Sequence, residues 1–186
     1  IDAHRIDVRN LRIQSSTAPR AHYTAQCISE IIQRSKLFAP SLLHAEGLNP
    51  VGRKDEKRAE EVYRALRAGD RHVSYENEPG FQDPTIFELA TEVRARWYDY
   101  LARYVMYHSV HPAVFVSHYE VLCNLTHDLF GIVATKGTEL RHAEPIFLSV
   151  TEHDRENGLV LISGKFRNHT SEAIFNLWES SISRRT

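Results

Sequence analysis

Eleven histidines in a chain of 186 residues are the first feature with chemical potential. Imidazole binds metals and moves protons near neutral pH, so spacing decides whether these rings can act together. His108 and His111 stand as H-x-x-H around a helix break, His118 lies two residues before Glu120, and His127 directly precedes Asp128. A metal centre needs three or four ligands converging from defined offsets. On one helix, nine residues at roughly 100° each put His118 and His127 about 180° apart, the wrong geometry for a shared ion. Glu120, Asn124, His127 and Asp128 fall on one polar stripe, but nothing nearby in sequence completes a coordination set. That stripe reads as the wet side of a helix, and His118, on the apolar face, reads as a satisfied core histidine. Cys123 precedes His127 by one helical turn, yet its apolar neighbours Leu122 and Leu125 suit a buried thiol better than a reactive one. The chain carries no G-x-S-x-G, no G-x-x-x-x-G-K-[ST] and no G-x-G-x-x-G. These residues give no catalytic, cofactor or metal assignment.

A second grouping is more pointed. Arg20-Ala21-His22, a helical segment, and then Ser41-Leu42-Leu43-His44 resembles the HD-type metal phosphohydrolases, in which an early His and a later His-Asp pair bind a divalent ion. The resemblance spans residues 20–70. It implies a ligand set of His22, His44, His127 and Asp128, and it departs from the family where Ala45 replaces the aspartate. The literal pairs His127-Asp128 and His153-Asp154 come later than the family arrangement. Without the carboxylate an ion loses its hardest oxygen ligand, so the resemblance implies a divergent phosphohydrolase or its inactive descendant.

Hydrophobic periodicity supplies the elements that must position these groups. Residues 1–18 alternate weakly through Ile6, Val8, Leu11 and Ile13, as an N-terminal arm or edge strand does. Residues 19–186 read as one α+β domain, with a helical part over 19–137 and a sheet part over 138–180. Helices are predicted over 19–37, 55–68, 83–107 and 112–134. Their start and stop signals include Asp83-Pro84 as N-cap and N1, Pro112 at N1 and Gly137 at the exit. Residues 39–53 read as a loop. After Gly137 the period changes from 3.6 to 2. Residues 145–153, 159–167 and 172–180 form three strand-like runs joined by turn chemistry. The expected fold is therefore three or four helices followed by a C-terminal three-stranded antiparallel meander, with the 112–134 helix on its apolar face.

Composition bounds the function. Hydrophobic residues make up 42% and charged residues 25%, a globular balance, and the formal charge of −1 disfavours a dominant nucleic-acid footprint. No apolar run approaches the ~20 residues of a transmembrane helix. Cys27 and Cys123 carry no metal spacing and fit an intracellular, reducing compartment. The chain opens on Ile, as a processed chain or a fragment does. Residues 1–28 hold four Arg and no Glu, which gives an organellar flavour and makes the mitochondrial matrix the candidate compartment. Arg outnumbers Lys 18 to 5, and Arg is favoured at interfaces, although a GC-rich coding sequence gives the same bias. Arg5, Arg9, Arg12, Trp97, Tyr100, Tyr104, Arg184 and Arg185 are the interface candidates. Together these features favour a non-catalytic accessory subunit of a multiprotein complex, without cofactor, contacting other protein subunits. Nucleic acid enters only within a larger ribonucleoprotein. The alternative is the HD-type phosphohydrolase.

Overall fold

The computed structural model describes residues 10–36, 38–68, 79–108, 111–133 and 140–184. Three four-residue strands, β1 (Arg12–Ser15), β2 (Ser41–His44) and β3 (Ala113–Val116), form a parallel sheet in the order β2-β1-β3. Their register is level. Arg12 lies opposite Ser41 and Ala113, and Ser15 lies opposite His44 and Val116. All three strands therefore end on one line, and Ser16, Ala45 and Ser117 leave the sheet side by side. Backbone bonds carry the ladder one step further: Ala45 N–H donates to the Ser15 carbonyl at 2.8 Å and Ser16 N–H to the Val116 carbonyl at 3.0 Å.

Parallel neighbours need long crossovers, and helices supply them. Helix α1 (Pro19–Lys36) returns the chain from β1 to β2, burying Ala21 and Ala25. Helices α2 (Glu56–Ala68) and α3 (Ala90–His108) lie between β2 and β3. Side chains alternate across a strand, and Phe115 of β3 meets α3. The rings of Trp97, Tyr100 and Tyr104 stand edge-on to it, with centroids 5.8, 6.1 and 5.0 Å away. Gly47, just past β2, is a glycine for a steric reason: a Cβ there would overlap the Tyr100 side chain.

Helix α4 (Tyr119–Phe130) follows β3 after two residues and ends at Gly131 in the left-handed region, φ 68°. The Gly131 N–H donates to the His127 carbonyl, closing the helix in a glycine C-cap. Its buried face (Val121, Leu125, Leu129) packs on an antiparallel sheet ordered β4-β5-β6-β7, where Val160, Ile162, Ala173 and Phe175 complete the core. These strands are β4 (Phe147–Asp154), β5 (Leu159–Phe166), β6 (His169–Asn176) and β7 (Ser181–Arg184). Among the described residues no helix is long and apolar enough to cross a membrane.

The structure corrects the expected fold in four places. The mixed helix-and-strand class stands, but a three-stranded parallel sheet accompanies the C-terminal sheet, which has four strands rather than three. The helix expected over 112–134 is a strand, a link and a shorter helix. A short apolar run fits either element, and the β-branched and aromatic residues of Ala113–Val116 belong to a sheet. The loop expected over 39–53 contains β2. The segment expected as an arm or edge strand provides β1, bonded on both sides, while residues 1–9 lie outside the described residues.

Two boundaries have clear local causes. Asp83 caps a turn rather than a long helix: its carboxylate accepts the Thr85 N–H at 2.9 Å, and Phe87 then bridges to Arg53. Helix α3 starts later, where the Glu92 carboxylate accepts the Leu89 N–H at 2.6 Å. Asn176 makes the extra hairpin, its Oδ1 accepting the N–H groups of Trp178 and Glu179 and turning the chain into β7.

Leu129 is fully buried between α4 and the antiparallel sheet. Leu129→Ala is expected to lower unfolding free energy by about 2–5 kcal/mol in denaturant titration. Tyr107→Ser, at a ring 71% exposed on α3, is expected to change it by less than about 0.5 kcal/mol.

Candidate active site

The chemistry gathers where the three parallel strands end. In open parallel sheets ligands bind beyond the carboxyl ends of the strands, at the crevice where connections diverge. Here the chain leaves β1 towards β2, while β3 lies on the other side of β1, so the crevice opens between β1 and β3. Ser16 stands on one lip and His118 on the other, with His118 Nε2 2.8 Å from Ser16 Oγ. Ser16 is fully buried and His118 is 5% exposed.

The proton inventory fixes the tautomer. Ser16 Oγ accepts the Ala18 N–H at 3.1 Å and donates its single proton to Asn49 Oδ1 at 2.9 Å. Towards His118 it can only accept. The ring therefore carries its proton on Nε2 and keeps a lone pair on Nδ1. Burial, reinforced by the charges of Arg20 and Arg96, pushes the His118 pKa down to about 4. The imidazole is thus neutral at physiological pH, as a nucleophile must be.

A polar scaffold holds this arrangement. Asn49 Oδ1 also accepts from the Thr17 N–H at 2.8 Å and the Thr17 hydroxyl at 2.9 Å. Ser117 Oγ donates to the Leu48 carbonyl at 2.8 Å, tying the end of β3 to the same loop. Arg96 of α3 organises that loop from behind. Its guanidinium donates to the carbonyls of Glu46, Gly47, Asn49 and Pro50 and makes a two-toothed pair with Glu88, both bonds 2.9 Å. Burial opposes the Glu88 charge, but the Arg96 fork and the Gly52 N–H outweigh it and hold that carboxyl below its usual range.

Around the crevice the electrostatics favour an anion. Helices α1 and α4 both begin at this edge, and helix N-termini carry partial positive charge. His118, the N-cap of α4, makes no side-chain bond to the helix backbone, so its ring remains directed to Ser16. Exposed Arg20 lies on the first turn of α1. Across from it, Tyr63 of α2 lies beneath the Arg53 guanidinium, 4.9 Å from the ring centroid. Burial and then the nearby Glu120 charge push the Tyr63 phenol up. The His22 and His44 rings meet near this edge, centroids 4.6 Å apart and planes tilted by 36°.

The residues expected from sequence separate into three groups. His22 and His44 meet at this edge, whereas His127 and Asp128 lie at the far end of α4, about 13 Å along the helix from His118. Asp128 is engaged there by Arg94 Nε at 2.9 Å and accepts the Tyr98 hydroxyl at 2.6 Å. No group of three or more His, Cys, Asp or Glu side chains with metal-binding geometry occurs among the described residues. Of the interface candidates, Trp97 and Tyr104 are 2% and 7% exposed and pack into the interior, and Tyr100 is half-buried against Trp97 and Phe115. Arg12 starts β1, and the Arg184 guanidinium covers Gly131 at the end of α4. Arg5, Arg9 and Arg185 lie outside the described residues.

Ser16, Asn49, Arg96, His118 and Glu120 were not assigned a site from sequence. Two matching junctions held the available signal. Gln14-Ser15-Ser16 precedes Pro19, and Phe115-Val116-Ser117-His118 precedes α4; each is a short apolar or β-forming run, a serine and a helix start.

A level parallel edge with two helix N-termini, arginine and a neutral imidazole defines an anion-handling site of α/β type. The chain belongs to the histidine phosphatase superfamily (branch 1), whose family model matches residues 3–163. No curated protein and no solved structure matches it. The family match ends within β5, leaving β6 and β7 beyond it. Membership in a phosphatase superfamily overturns the reading as a non-catalytic accessory subunit of a multiprotein complex, with its structural and protein–protein emphasis. It also overturns the HD-type alternative, whose four ligands the fold divides between two ends of α4. The absence of familiar motifs misled that reading, because a site assembled from three strand ends leaves no contiguous signature.

The depressed His118 pKa has a consequence for stability. Between the ordinary value of 6.5 and about 4, the unfolded chain takes up a proton that the folded chain refuses. Stability is therefore intact above that window and falls as pH drops through it, by on the order of 3 kcal/mol from this group. Glu120, whose pKa is raised, acts in the opposite sense above its ordinary 4.5. Comparing wild type with His118→Gln in denaturant at pH 7 and pH 4 isolates the histidine. The stability difference is expected to move against the wild type by that amount, and parallel curves would contradict a buried neutral ring.

Proposed function

We propose that this chain is a phosphatase-type enzyme that binds a phosphate monoester in the crevice between β1 and β3 and transfers the phosphoryl group to His118. The observation that carries this reading is the hydrogen bond between His118 and Ser16. It holds a neutral imidazole between two helix N-termini, with Nε2 occupied and Nδ1 free to attack. Family membership supplies the chemical class.

In this reading Arg20 and the helix N-termini take the phosphate oxygens, where fixed positive charge stabilises the transferring group. The Nδ1 lone pair forms a P–N bond as the P–O ester bond breaks. Water then attacks phosphorus, releasing inorganic phosphate and restoring the ring. Asn49 and Arg96 act by position, keeping Ser16 as acceptor and so keeping the imidazole in one tautomer and one orientation.

Steady-state hydrolysis of p-nitrophenyl phosphate tests the assignment. His118→Asn is expected to lower kcat by about 10³-fold or more, as removal of a nucleophile does, while the thermal melt stays cooperative. Arg20→Ala is expected to act mainly on KM. Equal activity of wild type and His118→Asn would exclude the assignment.

A further inference from the structure

The antiparallel sheet has a second face, turned away from α4. Side chains alternate across each strand, and Val160, Ile162, Ala173 and Phe175 belong to the core beneath α4, so Leu159, Leu161 and Ile174 point the other way. The solvated face of such a sheet is ordinarily polar. Here the register sets Leu161 directly beside Ile174, with Leu159 two residues along, and all three are only half-buried. They floor a cavity of about 360 Å³ walled by the edge strand β4. The bulge between Val150 and Glu152 brings Glu152 opposite Leu161 and Asp154 opposite Leu159. Glu172 of β6 lies on the same face, paired with Ser163. Against these three exposed carboxylates the face sets one ammonium, that of Lys165, and the adjoining turns add Glu156, Glu179 and Arg155.

Trp178 stands at one end of this floor, 65% exposed and packed so closely on Gly158 that a Cβ there would overlap the indole. Gly158 directly precedes Leu159, which places the ring at the Leu159 end. An exposed indole offers a large apolar area and a π face that attracts cations. Charge then selects the occupant. Nucleic acid and anionic lipid would bring phosphates to carboxylates. A second copy docked face to face would set Glu152, Asp154 and Glu172 against their own counterparts, and like charges so placed are costly. A basic segment meets the face with the opposite sign: its apolar side chains fill the floor while lysine or arginine reaches the carboxylates and the indole. The bulge in β4 blunts pairing along the strand edge, so the segment lies on the face instead of extending the sheet. We propose that this face docks a basic, amphipathic segment of another protein, a role independent of the phosphatase reading.

Fluorescence of the full chain reads the docking, because Trp178 is exposed and the other tryptophan, Trp97, is 2% exposed. The probes are synthetic peptides of alternating lysine and valine, lysine and serine, or glutamate and valine, titrated at about 0.15 M salt. The lysine–valine peptide is expected to shift the Trp178 emission saturably and to bind about tenfold or more tighter than either of the others. Ile174→Ser removes part of the floor and Glu152→Lys reverses one charge at the exposed edge. Each is expected to weaken that binding by about tenfold or more, with the thermal melt still cooperative. Glu30→Lys, which reverses an exposed acid on α1, is expected to leave it unchanged. Equal binding of the lysine–valine and lysine–serine peptides would reduce the effect to charge alone and overturn the proposal. Absence of saturable binding, or binding that neither variant weakens, overturns it as well. A dimer in sedimentation that Ile174→Ser dissolves would give the face to a second copy and overturn the choice of partner.

Discussion

The level register of three short parallel strands is the constraint from which the site follows. With Ser15, His44 and Val116 side by side, the next residues of each strand have to emerge together. That placement lets one serine hydroxyl reach one imidazole across the crevice. A slip of a single residue would turn each strand's side chains over and break the Ser16–His118 bond. Four residues per strand give little sheet to resist such a slip. Much of the resistance comes from outside the sheet: from the aromatic cluster around Phe115 and from the Arg96 guanidinium, which gathers four carbonyls and a carboxylate behind the β2 exit.

Helix α4 joins the two halves of the molecule. Its first turn carries the chemistry, and its apolar face is clamped on the antiparallel sheet by Val121, Leu125 and Leu129. The C-terminal sheet therefore bears on the site through this helix. Burial acts on two groups at that end of the helix, lowering the pKa of the N-cap His118 and raising that of Glu120.

Helices with strong periodicity and end signals were legible in the sequence. Residues 19–37 and 55–68 were read almost to the residue as α1 and α2, because proline, acidic and glycine signals mark their ends. The alternating C-terminal strands were legible in number to within one. The parallel sheet was not. Its strands are four residues long, too short for period to separate strand from helix, and one of them had been absorbed into the neighbouring helix. With β3 misread, His118 appeared on an apolar helical face instead of at a strand tip, and its meaning was lost. The partnership of His118 with Ser16, 102 residues away, exists only once the strands pair. The HD-type resemblance drew attention to His22 and His44, which do reach the same edge, but supplied the wrong partners for them.

The central claim is that His118 takes the phosphoryl group. It is tested most directly by rapid quenching of the protein with a ³²P-labelled phosphate monoester, followed by peptide mapping of the trapped label. The account predicts a label that is labile in acid, stable in alkali, located on the peptide containing His118 and absent from His118→Asn. A protein that hydrolyses the ester while carrying its label on another residue, or an acid-stable label on serine, would contradict it.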